Sequence, residues 1–231
     1  MIEIFRRTIL STTLAGIAAA GALACNDVPA PASPPSGASA AMAAPSSKPL
    51  PPGPRIVGTV LVTATGKPST VGGVVYLEDA PKQPGEAMAA TVNVDHKEFS
   101  PSIAVITTGG TVTFGNRDNL THHVFSPELQ KWDTGYLQKG DTAGRTFNAP
   151  GAISLLCNIH PEMLGYVLVI PSTYFGKLGA DGKYVIAAVP PGTYKTTVWS
   201  PHMQPISQPV TVGAAGSVTA DFQLRPEGAT N

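Results

Sequence analysis

The chain has 231 residues, which allows one or two domains. Only 13% of them are charged, and 15 basic against 15 acidic side chains leave a formal net charge of zero. That balance argues against a nucleic-acid binder, which needs a basic face to neutralise phosphates, and it gives no reason to expect an acidic substrate or an anionic membrane surface as a partner.

Residues 1–24 read as an export signal. Arg6 and Arg7 form a basic start, and Thr8 to Ala24 is an apolar, small-residue run too short for a comfortable membrane span. The run closes on Ala22-Leu23-Ala24, a small-x-small cleavage pattern. An uncleaved N-terminal anchor is the alternative. Arg6-Arg7-Thr8 also looks like a twin-arginine signal. Cys25 follows directly and resembles the lipidation site of bacterial lipoproteins, with Ala22 where a leucine usually stands. The expected location is the periplasm or the outer side of a membrane, with membrane contact only through a lipid on Cys25. Residues 25–54 are dominated by Pro, Ala and Ser, lack apolar periodicity and read as a disordered tether.

From Arg55 onward, short apolar runs alternate with turn signals. The expected strands are Ile56–Val62, Gly73–Leu77, Ala90–Val94, Ile103–Thr107, Thr111–Phe114, His122–Phe125, Gly144–Phe147, Ile153–Cys157, Tyr166–Ile170, Tyr184–Ala188, Tyr194–Trp199, Gln208–Val212 and Ser217–Leu224. Gly109-Gly110, Pro150-Gly151, Asp181-Gly182 and Pro191-Gly192 punctuate them. No segment after residue 25 carries a helical period over three turns. The expected fold class is all-β, built as one or two antiparallel sandwiches.

The chemistry concentrates in Cys157-Asn158-Ile159-His160-Pro161-Glu162-Met163. Ile153, Leu155 and Cys157 alternate along a strand and share one face, which should be the core. A thiolate, an imidazole and a thioether on one tight loop form a soft ligand set that suits copper better than magnesium or calcium, and the weak thioether disfavours structural zinc. Each residue alone has a plainer reading: a buried cysteine as a small hydrophobe, a strand histidine as a hydrogen-bonded group, a methionine as core filler. Their coincidence at this spacing favours the metal. His96, His202, Met42, Met88 and Met203 keep the plain reading.

Asn116 closes the strand Thr111–Phe114 region, and His122 stands six residues later. With Cys157, His160 and Met163 spaced by two residues each, the chain here resembles the cupredoxin family, in its plastocyanin and amicyanin branch, over roughly Ala90 to Pro171. The resemblance implies a Greek-key sandwich over residues 88–171, one type 1 copper on His122, Cys157, His160 and Met163, and single-electron transfer with a redox partner protein such as a cytochrome, dehydrogenase or oxidase. It departs from the family pattern at His123, where an asparagine is usual. Strand alternation lets only one of His122 and His123 face the site, and His123 should then lie outside the ligand set. The resemblance also places the electron port at the His160 edge, ringed by Leu120, Pro161 and Leu164. With all four positions filled and no His-x-His pair for further copper, no enzymatic activity is expected.

The C-terminal stretch resembles the carboxypeptidase regulatory-like (transthyretin-like) sandwich in Gly179 to Tyr184, Val189 to Tyr194 and Thr219 to Leu224. The pieces with which that family usually begins stand far upstream, as Gly58-Thr59-Val60, Gly66-Lys67-Pro68 and Gly73 to Leu77. The expectation is a split sandwich made of residues 55–80 and 172–225, with the copper domain inserted between its halves. The alternative is two sequential units, with residues 55–80 supplying the first strands of the copper sandwich. Competing functions are a copper-delivery protein and a metal-free tethered sandwich closed by a Cys25–Cys157 disulfide. A Cys157/His160 hydrolase is more remote, because no third orienting group is in sight.

Overall fold

The computed structural model describes residues 52–69, 72–81, 87–127 and 131–229. The export signal, Cys25, Met42 and nearly all of the tether lie outside these residues. Eighteen strands and no helix occur among the described residues. In chain order they are β1 (Arg55–Val62), β2 (Val74–Leu77), β3 (Ala90–Asp95), β4 (Glu98–Ser100), β5 (Ile103–Thr107), β6 (Gly110–Asn116), β7 (Val124–Ser126), β8 (Trp132–Asp133) and β9 (Thr142–Phe147). They continue as β10 (Gly151–Cys157), β11 (Leu164–Ile170), β12 (Phe175–Lys177), β13 (Lys183–Ile186), β14 (Gly192–Trp199), β15 (Met203–Gln204), β16 (Ile206–Val212), β17 (Ser217–Thr219) and β18 (Phe222–Pro226). The protein is all-β.

Four sheets divide the chain cleanly. Residues 90–170 supply two of them, ordered β5-β11-β10-β7-β8 and β4-β3-β6-β9. The other two, β13-β1-β18-β15 with β17 beside β1, and β12-β2-β14-β16, draw only on residues 55–77 and 175–226. Strand β1 thus pairs with β13, β17 and β18, and β2 pairs with β12 and β14. Neither pairs with any strand between residues 90 and 170.

Inward-facing alternate residues make two main cores, as a half-buried strand requires. One gathers Val92, Phe114, Phe147, Ile153, Leu155, Cys157, Met163 and Val167. The other gathers Ile56, Val60, Leu77, Tyr184, Ile186, Val198, Phe222 and Leu224. A smaller cluster of Val74, Val105, Leu168, Ile170 and Trp199 joins residues from both pairs of sheets. Tyr166 packs edge-on against Trp199, and its hydroxyl lies 3.3 Å from His202 Nε2.

The structure differs from the expected antiparallel arrangement. Pairs β3/β6, β5/β11, β1/β17 and β1/β18 are parallel. Periodicity reports which face of a strand is buried but not the direction of its neighbour. The expected strand Ser217–Leu224 is broken at Ala220-Asp221, where the Ala220 carbonyl turns to accept the Tyr184 hydroxyl at 2.6 Å and Asp221 accepts the Thr59 amide at 2.7 Å. The short strands β4, β8, β12 and β15 lack enough residues to display a period.

Candidate metal centre

Strand β10 carries Ile153, Leu155 and Cys157 inward, all buried, and its last residue pairs with Val124 of β7. The Cys157 thiol is free and buried, and Cys25, its alternative disulfide partner, lies outside the described residues. The following loop is tight: the Met163 amide donates to the His160 carbonyl at 3.1 Å before β11 begins at Leu164. This turn brings the partly buried His160 back over Cys157 and buries Met163 in the same core cluster as the thiol.

His122 comes from the loop between β6 and β7. The expected strand start at His122 is displaced, because β7 begins at Val124, and His122 instead forms an isolated bridge to Leu137 with hydrogen bonds of 3.0 and 2.7 Å. Asn116, buried at the end of β6, shapes that loop. Its Nδ2 donates to the carbonyls of Leu120 at 2.7 Å and Leu137 at 2.9 Å, and its Oδ1 accepts the Asp118 amide at 2.8 Å. One asparagine thereby ties together both segments that hold His122.

Among the described residues, His122, Cys157 and His160 form a group whose ligand atoms all lie within 4.8 Å of one another. The Nδ1 atoms of the two histidines are 3.2 Å apart, and each is 3.8 Å from Cys157 Sγ. A triangle with these sides has its centre about 2.1 Å from each corner, matching a metal–nitrogen bond of about 2.0–2.1 Å and slightly short of a metal–thiolate bond of about 2.3 Å. Two nitrogens and a sulfur around a buried point, with a thioether in the adjoining core, fit a soft metal ion. Met163 belongs to that core, whereas the side chains of His96 and His202, both in turns with left-handed backbone (φ 53° and 60°), are not among the grouped ligands.

The second nitrogen of His122 is also engaged: Nε2 lies 2.9 Å from Asp118 Oδ2. Burial of Asp118 opposes its ionisation, but the Lys97 and His96 amides and the His122 ring outweigh it and hold the carboxyl below the ordinary aspartate range. Sequence reasoning misses Asp118. Its offset of four residues from His122 is a usable signal only once the intervening loop is known to be closed by Asn116.

His123 lies outside the ligand group, on the residue that leads into β7. Its ring lies 5.1 Å from that of Tyr136, its Nε2 is 3.3 Å from Asp133 Oδ1, and its Nδ1 is 3.3 Å from Asn158 Nδ2. The Gly135 amide first, then His123, holds the exposed Asp133 carboxyl below the ordinary range. The His123 carbonyl also accepts the Asn158 amide at 3.0 Å, which stitches the two ligand-bearing segments together.

Four large hydrophobic side chains are exposed among the described residues: Leu120 (46%), Tyr136 (70%), Ile159 (41%) and Leu164 (45%). All four stand on, or next to, the segments that carry or brace His122, Cys157 and His160.

No family model matches the chain. Among curated proteins it is similar to amicyanin-alpha of Methylorubrum extorquens, at 30% identity over 102 residues that make up 42% of this chain and 82% of that protein. Among solved structures it is similar to a purple cupredoxin from Nitrosopumilus maritimus, at 26% identity and TM-score 0.33, over 35% of this chain and 98% of that one. A reduced amicyanin variant is likewise 26% identical at TM-score 0.33, over 35% of this chain and 81% of that one.

Proposed function

We propose that this chain, which belongs to the amicyanin family of cupredoxins, holds one type 1 copper ion and carries single electrons between redox partner proteins outside the cytoplasm. The observation that carries the reading is the buried triangle of His122 Nδ1, His160 Nδ1 and Cys157 Sγ, of a size that fits one metal ion. Copper would supply the Cu(I)/Cu(II) couple, for which two imidazoles, a thiolate and a weak axial thioether are a suitable set. The protein's own contribution is rigidity. Cys157 is fixed by the β7/β10 ladder, His122 by its bridge to Leu137, and Met163 by burial. A ligand set that cannot rearrange keeps the geometry nearly the same in both oxidation states.

We read Met163 as the axial ligand and His160, the less buried of the two histidines, as the edge facing a partner. Leu120, Ile159 and Leu164 are exposed on or next to the segments that carry the ligands, and we read them as the apolar surface around that edge, because exposed apolar groups close together mark an interaction site. With these positions filled no open one is left for a substrate, which favours a carrier over an enzyme. The sheets built from residues 55–77 and 175–226 we read as a transthyretin-like module into which the copper domain is inserted. Export by residues 1–24, and anchoring by a lipid on Cys25, complete the proposal.

The second reading, copper delivery, predicts ready release of the ion. Voltammetry on the copper-loaded protein separates them. A carrier gives a reversible one-electron couple that persists over many cycles and is lost in Cys157→Ser. Release of copper to a chelator on each reduction would overturn the carrier reading in favour of delivery.

A further inference from the structure

We infer that Asp118 is a positioning residue for this centre, clamped in place by the His96–Lys97 turn; the inference rests on the copper reading above. A histidine that offers Nδ1 to a metal must carry its proton on Nε2, and which nitrogen is free is set by the hydrogen bond the other makes. His122 is fully buried, its Nδ1 faces Cys157 and His160, and its Nε2 lies 2.9 Å from Asp118 Oδ2. A carboxylate accepts and cannot donate, so it admits only the tautomer with the proton on Nε2.

The carboxylate is itself held. The His96 amide donates to Oδ1 at 2.6 Å and the Lys97 amide to Oδ2 at 2.9 Å. Both donors are non-glycine residues in the left-handed region, at φ 53° and 59°, in the turn that joins β3 to β4. Two successive amides aimed by such a turn make a concave anion seat. The Asp118 amide is fixed in turn by Asn116 Oδ1. The Lys97 ammonium lies 3.9 Å from Glu162, which stands between His160 and Met163. That exposed contact contributes little energy, but it shows that one turn lies against both ligand-bearing loops. Asp118 thus does more than neutralise a buried imidazole: it fixes the ring's tautomer and rotation from a rigid base.

A carboxylate partner makes the imidazole a stronger donor, which favours the more positive oxidation state of a bound metal. Asp118→Asn removes the charge and leaves one oxygen to serve three donors. Replacing such outer partners costs metal affinity about 10–100-fold. The loss should fall mainly on Cu(II), and each tenfold preference lost raises a one-electron potential by about 59 mV.

The experiment is a potentiometric titration of wild type, D118N and D118E, with Cu(II) dissociation constants measured by chelator competition. The expected result is weaker Cu(II) binding and a raised potential in D118N. D118E, which keeps the charge on a longer arm, should fall between D118N and wild type. A D118N variant with wild-type potential and affinity overturns the inference and leaves the copper reading standing. A wild-type protein that forms no copper–thiolate absorption fails both. If D118N does not fold, nitrogen-resolved NMR of the wild-type Cu(I) form decides. A slowly exchanging His122 Nε2 proton is expected, and a rapidly exchanging or absent one refutes the clamp.

Discussion

Gly58→Ala probes the sheet that unites the two ends of the chain. Strand β1 changes neighbours at Gly58, running beside β17 before it and beside β18 after it. A Cβ at Gly58 would sit 1.9 Å from the Ala220 carbonyl oxygen and 2.7 Å from its carbon, both backbone atoms. Cβ atoms essentially never come within 3.0 Å of another heavy atom, so the strands must part by about 1 Å. That displacement stretches the Ala220-to-Val57 backbone bond of 2.8 Å and the Tyr184 hydroxyl bond of 2.6 Å. At about 1 kcal/mol for each bond and about 1–3 kcal/mol for steric strain, the expected loss is about 3–5 kcal/mol. For a protein of this size that lowers the melting temperature by roughly 6–20 °C. The assay is thermal unfolding followed by circular dichroism, with Gly144→Ala as control because its nearest neighbour would be an ordinary 3.9 Å away. A G58A protein melting with the control would refute the close approach of β1 to Ala220.

Leu155→Ala removes a fully buried side chain from the core beneath the site, and should cost about 2–5 kcal/mol in denaturant unfolding. Copper loading should stabilise the protein, by about 4 kcal/mol at a free concentration a thousand times the dissociation constant, and Cys157→Ser should abolish most of that gain without changing the far-ultraviolet spectrum. Burial raises the Glu78 carboxyl, but hydrogen bonds from Lys195 and Thr197 and the Lys195 charge outweigh it, so its folded pKa is depressed. A depressed carboxylate stabilises above its unfolded pKa; wild type should therefore exceed E78Q in stability at pH 7, with the gap closing as the pH falls below about 4. Leu164→Asp should slow electron transfer to a partner while leaving the visible spectrum intact, as stopped-flow mixing would measure.

Much of the candidate site was legible because it is local. Cys157, His160 and Met163 lie within one loop, and the alternation of Ile153 and Leu155 already turns Cys157 inward. His122 required a spacing known from a family, because nothing in its own neighbourhood separates it from His123. The bracing was not legible. Asp118 reaches His122 only because Asn116 closes the loop between them, and it is seated by a turn more than twenty residues upstream. The same holds for the fold. The strands with a clear two-residue period were readable, but the parallel pairings and the break at Ala220 depend on tertiary neighbours such as Tyr184, which no local pattern encodes.

The most direct test of the central claim is the visible spectrum after Cu(II) is added to the purified protein. The account predicts an intense thiolate-to-copper charge-transfer band that disappears in Cys157→Ser. A colourless solution, or only the faint blue of copper on nitrogen and oxygen ligands, would contradict it.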